Sequence, residues 1–492
     1  MMLEFLDKKS IGRLRLLFYL DAHASVPLLQ ANVMEELKMN RYELESCIKD
    51  VQADVKEFDL ADQFVIETGV KPKTVKYTRK TFANISCLIS CYASQSKLTP
   101  LIKAVLMEQV ENTFDLEDVL YASRATVYKI MAKANELLEI FEIEISSSCQ
   151  FVGKERDIQS FLYGYYYTLY GVNAYPFTDS MKDELVEIIH QLSLITHFLD
   201  DDLSNSQQVK LLYRLFVLKV RNHFGHHGEK IVSTCQKKEL VQNITEVLNP
   251  YFQNLQESEV YELLYFISSE NLSPYCQLVQ TETIEILNQK VIHSVLTEFQ
   301  AITSWGVTHE VTKELSLIHN KLLFQKRTNF ENSTIQQFSF IKENYQLAET
   351  LAYRIVQELL EFEWCTDTVK ANYDELAKEY IFLFLSSLPI ELLSPKVKIV
   401  IDFSFGQSYS RYIQEQVDAF GKLNIESYIG ATEEEADIYI SDMLKLHSHR
   451  HQVIWLSPPT SSDWEKLGDL IVHVKIKKSG KNDEKQTESI NE

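Results

Sequence analysis

The sequence predicts a mainly α-helical protein of several domains. Two tandem winged helix-turn-helix units stand in front, two helical bundles follow, and a small α/β domain lies near the end. Three observations lead there. The 492 residues exceed what one hydrophobic core organises. Glycine (13) and proline (10) are scarce, so long helical patterns run unbroken. One order of helices, turn and hairpin also occurs twice near the start. A chain 45% hydrophobic and 24% charged is ordinary globular protein, neither disordered nor fibrous.

Residues 11–20 read as a short amphipathic helix. Val33, Met34 and Leu37 mark a second, Met39-Asn40 a turn, and Leu44, Ile48, Val51 and Val55 one continuous face of a third. The runs 64–67 and 74–78 are strand-like, with Gly69 and Pro72 between them, which predicts a hairpin. The order then returns: a helix over 98–110, a short helix over 115–122, Ser123 as an N-cap whose hydroxyl accepts from the next turn, and a helix over 124–141. A second hairpin, 142–145 with 149–153, closes the repeat. From Asp157 to about Pro395 long amphipathic stretches dominate and divide near 275–285. Strand-like segments at 398–403, 425–429, 436–440 and 452–456 then suggest a parallel sheet. The end, from about Lys477, is polar and reads as disordered.

The net charge of −21 excludes a polyanion binder acting with its whole surface. Residues 1–160 hold 20 Lys and Arg against 24 Asp and Glu, so most of the acidity lies behind them. A local basic cluster (Lys71, Lys73, Lys76, Arg79, Lys80) sits in the first hairpin. The seven cysteines show no CxxC pairing, which argues against a disulfide scaffold and a zinc site and fits a reducing, cytoplasmic setting. The opening residues lack a signal layout and no run of 18 uncharged apolar residues occurs, so no membrane partner is expected.

On the 124–141 helix the positions outside the apolar face near its start are Arg124, Ala125, Tyr128, Lys129 and Lys133. A major groove selects such cationic and hydrogen-bonding side chains at the exposed N-terminal end of a helix, so duplex DNA is the expected partner. In the first unit the matching set includes Arg41 with Lys73 and Lys76 of the wing, diluted by Glu43, Glu45 and Asp50. His223, His226 and His227 stand at a helix end marked by Gly225, where a cation serves as a cap. His319 lies inside a later helix. The Gly406 loop follows a strand but lacks GxxxxGK[ST] and GxGxxG, and nothing elsewhere forms a catalytic constellation. No cofactor, metal or enzymatic activity is expected.

The stretch from Thr113 to Lys129 and the stretch from Gln150 to Leu162 resemble the Mga/AtxA group of bacterial transcription regulators, relatives of regulators that carry PRD modules. The resemblance implies a first winged helix-turn-helix over 1–82 and a second, Mga-type one over 83–156. PRD-like bundles follow over 157–280 and 281–394, then an EIIB-like α/β domain over 395–476 and a polar tail over 477–492. It further implies a cytoplasmic DNA-binding activator that forms a homo-oligomer, a dimer, and receives phosphoryl groups on His226, His227 and His319 from proteins of the sugar phosphotransferase system. The cysteine of the EIIB enzymes is missing from the 403–408 loop, which points that domain toward oligomerisation or docking. A PRD-type RNA-binding antiterminator and a non-catalytic phosphotransferase-linked adaptor are the alternatives. The antiterminator requires a small all-β domain in front.

Overall fold

The computed structural model describes residues 2–80, 84–195, 198–199, 203–228, 238–273, 282–300, 302, 304–306, 309–324, 341, 344–420, 423–430, 436–444, 451–456 and 458–489. They belong to two compact units. One is drawn from Met1–Asn288, Lys313–Gln336 and Asp367–Asn372, the other from Gln289–Thr312, Gln337–Thr366 and Tyr373–Glu492.

In the first unit a 3-10 turn (Met2–Phe5) leads into α1 (Lys8–Ala22), β1 (Leu28–Leu29), α2 (Gln30–Leu37) and α3 (Arg41–Glu57). Leu44, Ile48, Val51 and Val55 are all buried, as their 4, 3, 4 spacing requires. Asn40 caps α3 through a reciprocal box, its Oδ1 accepting from Glu43 N at 3.0 Å and its N donating to Glu43 Oε2 at 2.9 Å. Strands β2 (Phe64–Val70) and β3 (Lys73–Arg79) form the hairpin, and β1 joins it in the antiparallel order β1-β3-β2. Gly69, expected in the turn, is instead paired with Thr74 inside the ladder.

Helix α4 (Ser86–Gln95) has no counterpart in the sequence reading. Its serines and cysteines are indifferent helix formers, and the burial of Leu88, Ile89, Tyr92 and Ala93 on one face holds it. It also completes a buried polar knot. Arg13 Nη1 donates to Asp54 Oδ2 at 2.9 Å, Tyr92 Oη donates to the same oxygen at 2.6 Å, and Arg13 Nη2 lies 3.2 Å from Asp50. The knot ties α1, α3 and α4 together.

The second repeat contains α5 (Leu98–Leu106), α6 (Asp115–Leu120), α7 (Arg124–Leu138) with a 3-10 turn to Phe141, and the antiparallel pair β4 (Glu144–Ile145) and β5 (Phe151–Val152). Helix α5 stops short of the expected Val110, where Glu108 takes a φ of 46°; α7 gives way to the 3-10 turn at Glu139, and that turn ends at Phe141, where Glu142 takes a φ of 57°. Gly153 has φ 148°, and a Cβ there would sit 2.7 Å from Ile143 Cγ2, so only glycine closes this hairpin.

Helices α8 (Glu155–Tyr170), α9 (Asp179–Ser193), α10 (Asn205–His223), α11 (Lys238–Leu248) and α12 (Glu257–Ser269) follow, near their expected bounds. Ion pairs join α8, α10 and α12: the buried Arg221 Nη2 to Glu155 Oε2 at 2.6 Å, and the half-buried Arg156 Nε to Glu262 Oε1 at 2.7 Å and Lys210 Nζ to Glu270 Oε2 at 2.6 Å. The described residues before Glu155 are mainly helices with two hairpins and no all-β domain, which removes the structural premise of the antiterminator alternative.

Then come α13 (Glu282–Glu298), α14 (His309–Phe324), α15 (Gln346–Leu359), α16 (Thr366–Ala371), α17 (Tyr373–Ser387) and α18 (Ile390–Leu393). Helices α13 and α14 each have residues in both compact units. Within the second unit α15 packs on α17, and Arg354 Nη1 reaches Glu298 Oε2 at 2.7 Å. In the first unit His319 is wholly buried, and its Nδ1 lies 2.6 Å from Asn288 Oδ1. Burial lowers its pKa from 6.5 to about 3.

The end of the second unit is a parallel sheet ordered β7-β6-β8-β9, from β6 (Val397–Asp402), β7 (Ile425–Ile429), β8 (Ile438–Ser441) and β9 (His451–Ile454). Helix α19 (Gln407–Asp418) and helix α20 (Ser461–Ser489) supply Ile413, Val417, Leu467, Ile471 and Val474 to its core.

Two measurements test these packing claims. Asp54→Ala strips Arg13 and Tyr92 of their shared acceptor and should destabilise the front of the chain by about 3 kcal/mol in urea unfolding, against much less for an exposed control such as Asp62→Ala. For His319, the unfolded imidazole takes up a proton near pH 6.5 and the folded one only near pH 3. Stability therefore falls as pH drops below 6.5, by about 2 kcal/mol at about pH 5 relative to neutral pH. His319→Gln should abolish that share of the acid sensitivity, and an unchanged pH profile would contradict the buried neutral imidazole.

Candidate nucleic-acid interface

Helix α7 meets solvent with one face and the core with the other. Val127, Ile130, Met131, Ala134, Leu137 and Leu138 are buried. Arg124, Ala125, Tyr128, Lys129 and Lys133 are all exposed, so the structure brings the expected set onto one open edge. The turn before the helix is made by Tyr121, whose φ of 46° ends α6. Ser123 occupies the N-cap position, but its hydroxyl lies 3.0 Å from Thr126 Oγ1 and makes no bond to a backbone N–H, contrary to expectation.

The start of α7 is electrostatically organised. The Arg124 guanidinium stands 5.8 Å from the Tyr128 ring centre, and its Nη2 is 3.5 Å from the phenol oxygen. Arg124, and after it the Thr113 hydroxyl, pull the Tyr128 phenol below its usual pKa, which makes it a better hydrogen-bond donor. Lys133 is paired with Glu136 at 3.1 Å, whereas Lys129 has no ion-pair partner among the described residues. The wing is held in place by Asn135, which donates to Ile145 O at 3.0 Å and accepts from Ile145 N at 2.8 Å.

Two aromatic residues beside this edge escaped the sequence reading. Tyr121 is 97% exposed and Phe114 is 69% exposed, at the two ends of α6. An aromatic residue is assigned to the core by default, and only the tertiary structure shows that these have no core to enter.

In the first repeat Arg41 and Lys73 are exposed, yet each lies 3.0 Å from Glu45 Oε1, and Lys76 is half-buried on β3. The acids that dilute this unit in sequence have internal work. Glu43 is spent in the α3 cap, Glu45 on the two cations and Asp50 on Arg13.

The histidines are scattered. His226 Nε2 lies 2.5 Å from Glu108 Oε1, and His227 Nδ1 lies 3.3 Å from Glu259 Oε2, a buried carboxylate that also accepts from Asn222 Nδ2 at 2.9 Å. Both histidines are partly exposed; His319 is not. Beyond β6, Ser404 donates through its N (2.9 Å) and its hydroxyl to Asp442, so a carboxylate fills the place a phosphate cradle needs. Those bonds hold Asp442 below the usual carboxylate range. Among the described residues no cluster of His, Cys, Asp and Glu suits a metal ion, and no helix is long and apolar enough to cross a membrane.

Residues 81–166 match the family model described as the Mga helix-turn-helix domain. No curated protein matches the chain. The matched span covers α4 to most of α8, and thus the whole exposed edge of α7 with its wing. Helix, turn, helix and hairpin fill that span with the cationic edge turned outward, so the chain carries a helix-turn-helix domain of the Mga type over residues 81–166.

Proposed function

We propose that this protein is a transcription activator that reads duplex DNA chiefly through the start of α7 and is regulated by phosphorylation of histidine. One observation carries the DNA reading: Arg124, Tyr128 and Lys129 are exposed together at the N-terminal end of α7, inside the matched domain. Arg124 and Lys129 suit phosphates or purine edges, and Tyr128 and the turn residue Tyr121 suit phosphate oxygens. The α3 unit is a second, weaker reader, since Glu45 offsets Arg41 and Lys73.

The same reading gives the bundle histidines a role. A cytoplasmic phosphohistidine protein of the sugar phosphotransferase system would reach His226 or His227, which stand partly exposed, and would not reach His319 in its buried place. His227 directs Nδ1 at Glu259, while His226 engages Glu108 through Nε2, so His227 Nε2 is the better-placed nucleophile. Oligomerisation, as a dimer, fits the residues that follow the carboxyl ends of the parallel strands, where Phe405, Met443, Leu444 and Leu456 are exposed. The Ser404–Asp442 contact and the absence of cysteine in that loop support docking over phosphocarrier chemistry there.

Two experiments test this. In a duplex titration of the full chain, Arg124→Ala with Lys129→Ala should weaken binding about tenfold and lower the slope of log affinity against log salt by about 2. Unchanged affinity and slope would remove α7 from the interface. With phosphoramidate as donor, the histidine lone pair attacks phosphorus and ammonia leaves with the P–N electron pair. Mass-spectrometric mapping should place the phosphoryl group at His227 ahead of His226 and leave His319 unmodified; modification at His319 alone would reverse the assignment.

A further inference from the structure

The helix-turn-helix domain and the first bundle share several joints, apolar and polar. Phe161 of α8 meets Phe141 and Phe151 at centroid distances of 5.1 and 6.3 Å, and the Thr99 and Tyr165 hydroxyls are 3.1 Å apart. One joint sets an imidazole against a carboxylate. His226, in the loop after α10, lies 2.5 Å from Glu108, in the turn after α5.

Both ends of this contact are anchored in ways that give it leverage. Glu108 N is bonded to Val105 O at 3.3 Å and Gln109 N to Ala104 O at 3.0 Å. Seven residues beyond Glu108, Asp115 Oδ2 collects Glu111 N at 2.9 Å and Asn112 Nδ2 at 3.0 Å to begin α6. Helix α5 packs on both α6 and α7, so the position of Glu108 is passed to the exposed edge. On the bundle side His226 N is bonded to Arg221 O at 3.0 Å, and the Arg221 guanidinium grips Glu155, the first residue of α8 beyond the wing. The loop therefore holds the domain where α5 ends and, through Arg221, where the chain leaves the wing.

We propose that the His226–Glu108 hydrogen bond is a latch between the first bundle and the DNA-binding domain, and that negative charge placed on the His226–His227 loop releases it and changes DNA affinity. The His226 and Glu108 side chains are 29% and 27% exposed, so water competes for both and the contact is reversible. The neighbouring His227 already faces the carboxylate of Glu259, and added negative charge on this loop has carboxylates on two sides. The apolar joints around Phe161 do not respond to charge and keep the two bodies tethered when the latch opens. The proposal deepens the regulatory reading above and rests on DNA binding for one arm of its test alone.

Hydrogen–deuterium exchange of the full chain decides the latch. His226→Ala should raise exchange in 103–116, and Glu108→Ala should raise it in 221–228, each about fivefold, with the double variant no faster than either single one. His226→Asp, which sets a carboxylate against Glu108, should match or exceed His226→Ala. His226→Gln retains a donor and should stay near wild type, which separates a lost bond from a misfolded loop. Unchanged exchange in 103–116 for His226→Ala, or additive effects in the double variant, overturns the latch. On a mixed-sequence duplex, Glu108→Ala and His226→Ala should shift affinity in the same direction by similar factors. Equal affinity across all variants overturns control of DNA binding by the latch. If the wild-type chain does not bind the duplex, the DNA reading falls and the exchange arm still judges the latch.

Discussion

The packing around Phe161 is the constraint on which the front of the molecule depends. Its ring meets Phe5 from the amino-terminal turn, Phe141 from the end of α7, Phe151 from the wing and Tyr165 from its own helix, at centroid distances of 5.4, 5.1, 6.3 and 5.7 Å. Aromatic side chains bury much surface each, and their edge and tilted contacts admit little sliding. One buried ring thus sets the angle at which α7 and its hairpin leave the bundle. Helix α8 belongs to the helix-turn-helix domain and to the bundle at once, and the family match ends inside it at residue 166.

Electrostatics then works against a background fixed by that core. A net charge of −21 would repel nucleic acid if it were spread evenly. It is not spread evenly in effect, because many carboxylates near the front are committed to internal partners: Glu43 to a helix cap, Glu45 to Arg41 and Lys73, Asp50 and Asp54 to Arg13, Glu155 to Arg221. Around α7 the balance is different. Arg124 bonds to a phenol, with Glu117 acting on it without an ion-pair contact, and Lys129 has no acidic partner among the described residues, so positive charge faces outward at the turn. The buried polar knot of Arg13, Asp54 and Tyr92 keeps the first repeat attached to α4, so the two repeats are presented as one piece rather than as beads.

Much of this could be read along the chain. The 4, 3, 4 spacing in α3, the apolar stripe of α7, the strict alternation at Glu142–Ile145 and the strand-like runs after Pro395 each correspond to an observed element, because the period of burial is set by backbone geometry within a few residues. The exposed set on α7 was legible for the same reason: once the buried face is known, the opposite face follows. Helix α4 was not legible, since its propensity is weak and its burial comes from residues elsewhere.

Sequence alone determined the local elements, their order and the cationic start of α7. Tertiary structure alone decided what each charge and each ring faces. Glu108 and His226 are 118 residues apart, Asp54 and Tyr92 38 apart, and no local pattern relates either pair. The same holds for His319, whose neutrality comes from burial, and for Tyr121 and Phe114, whose exposure reverses the usual place of an aromatic residue. Periodicity is a property of neighbouring peptide units, whereas partnership is a property of packing, and packing is settled only when the whole core closes.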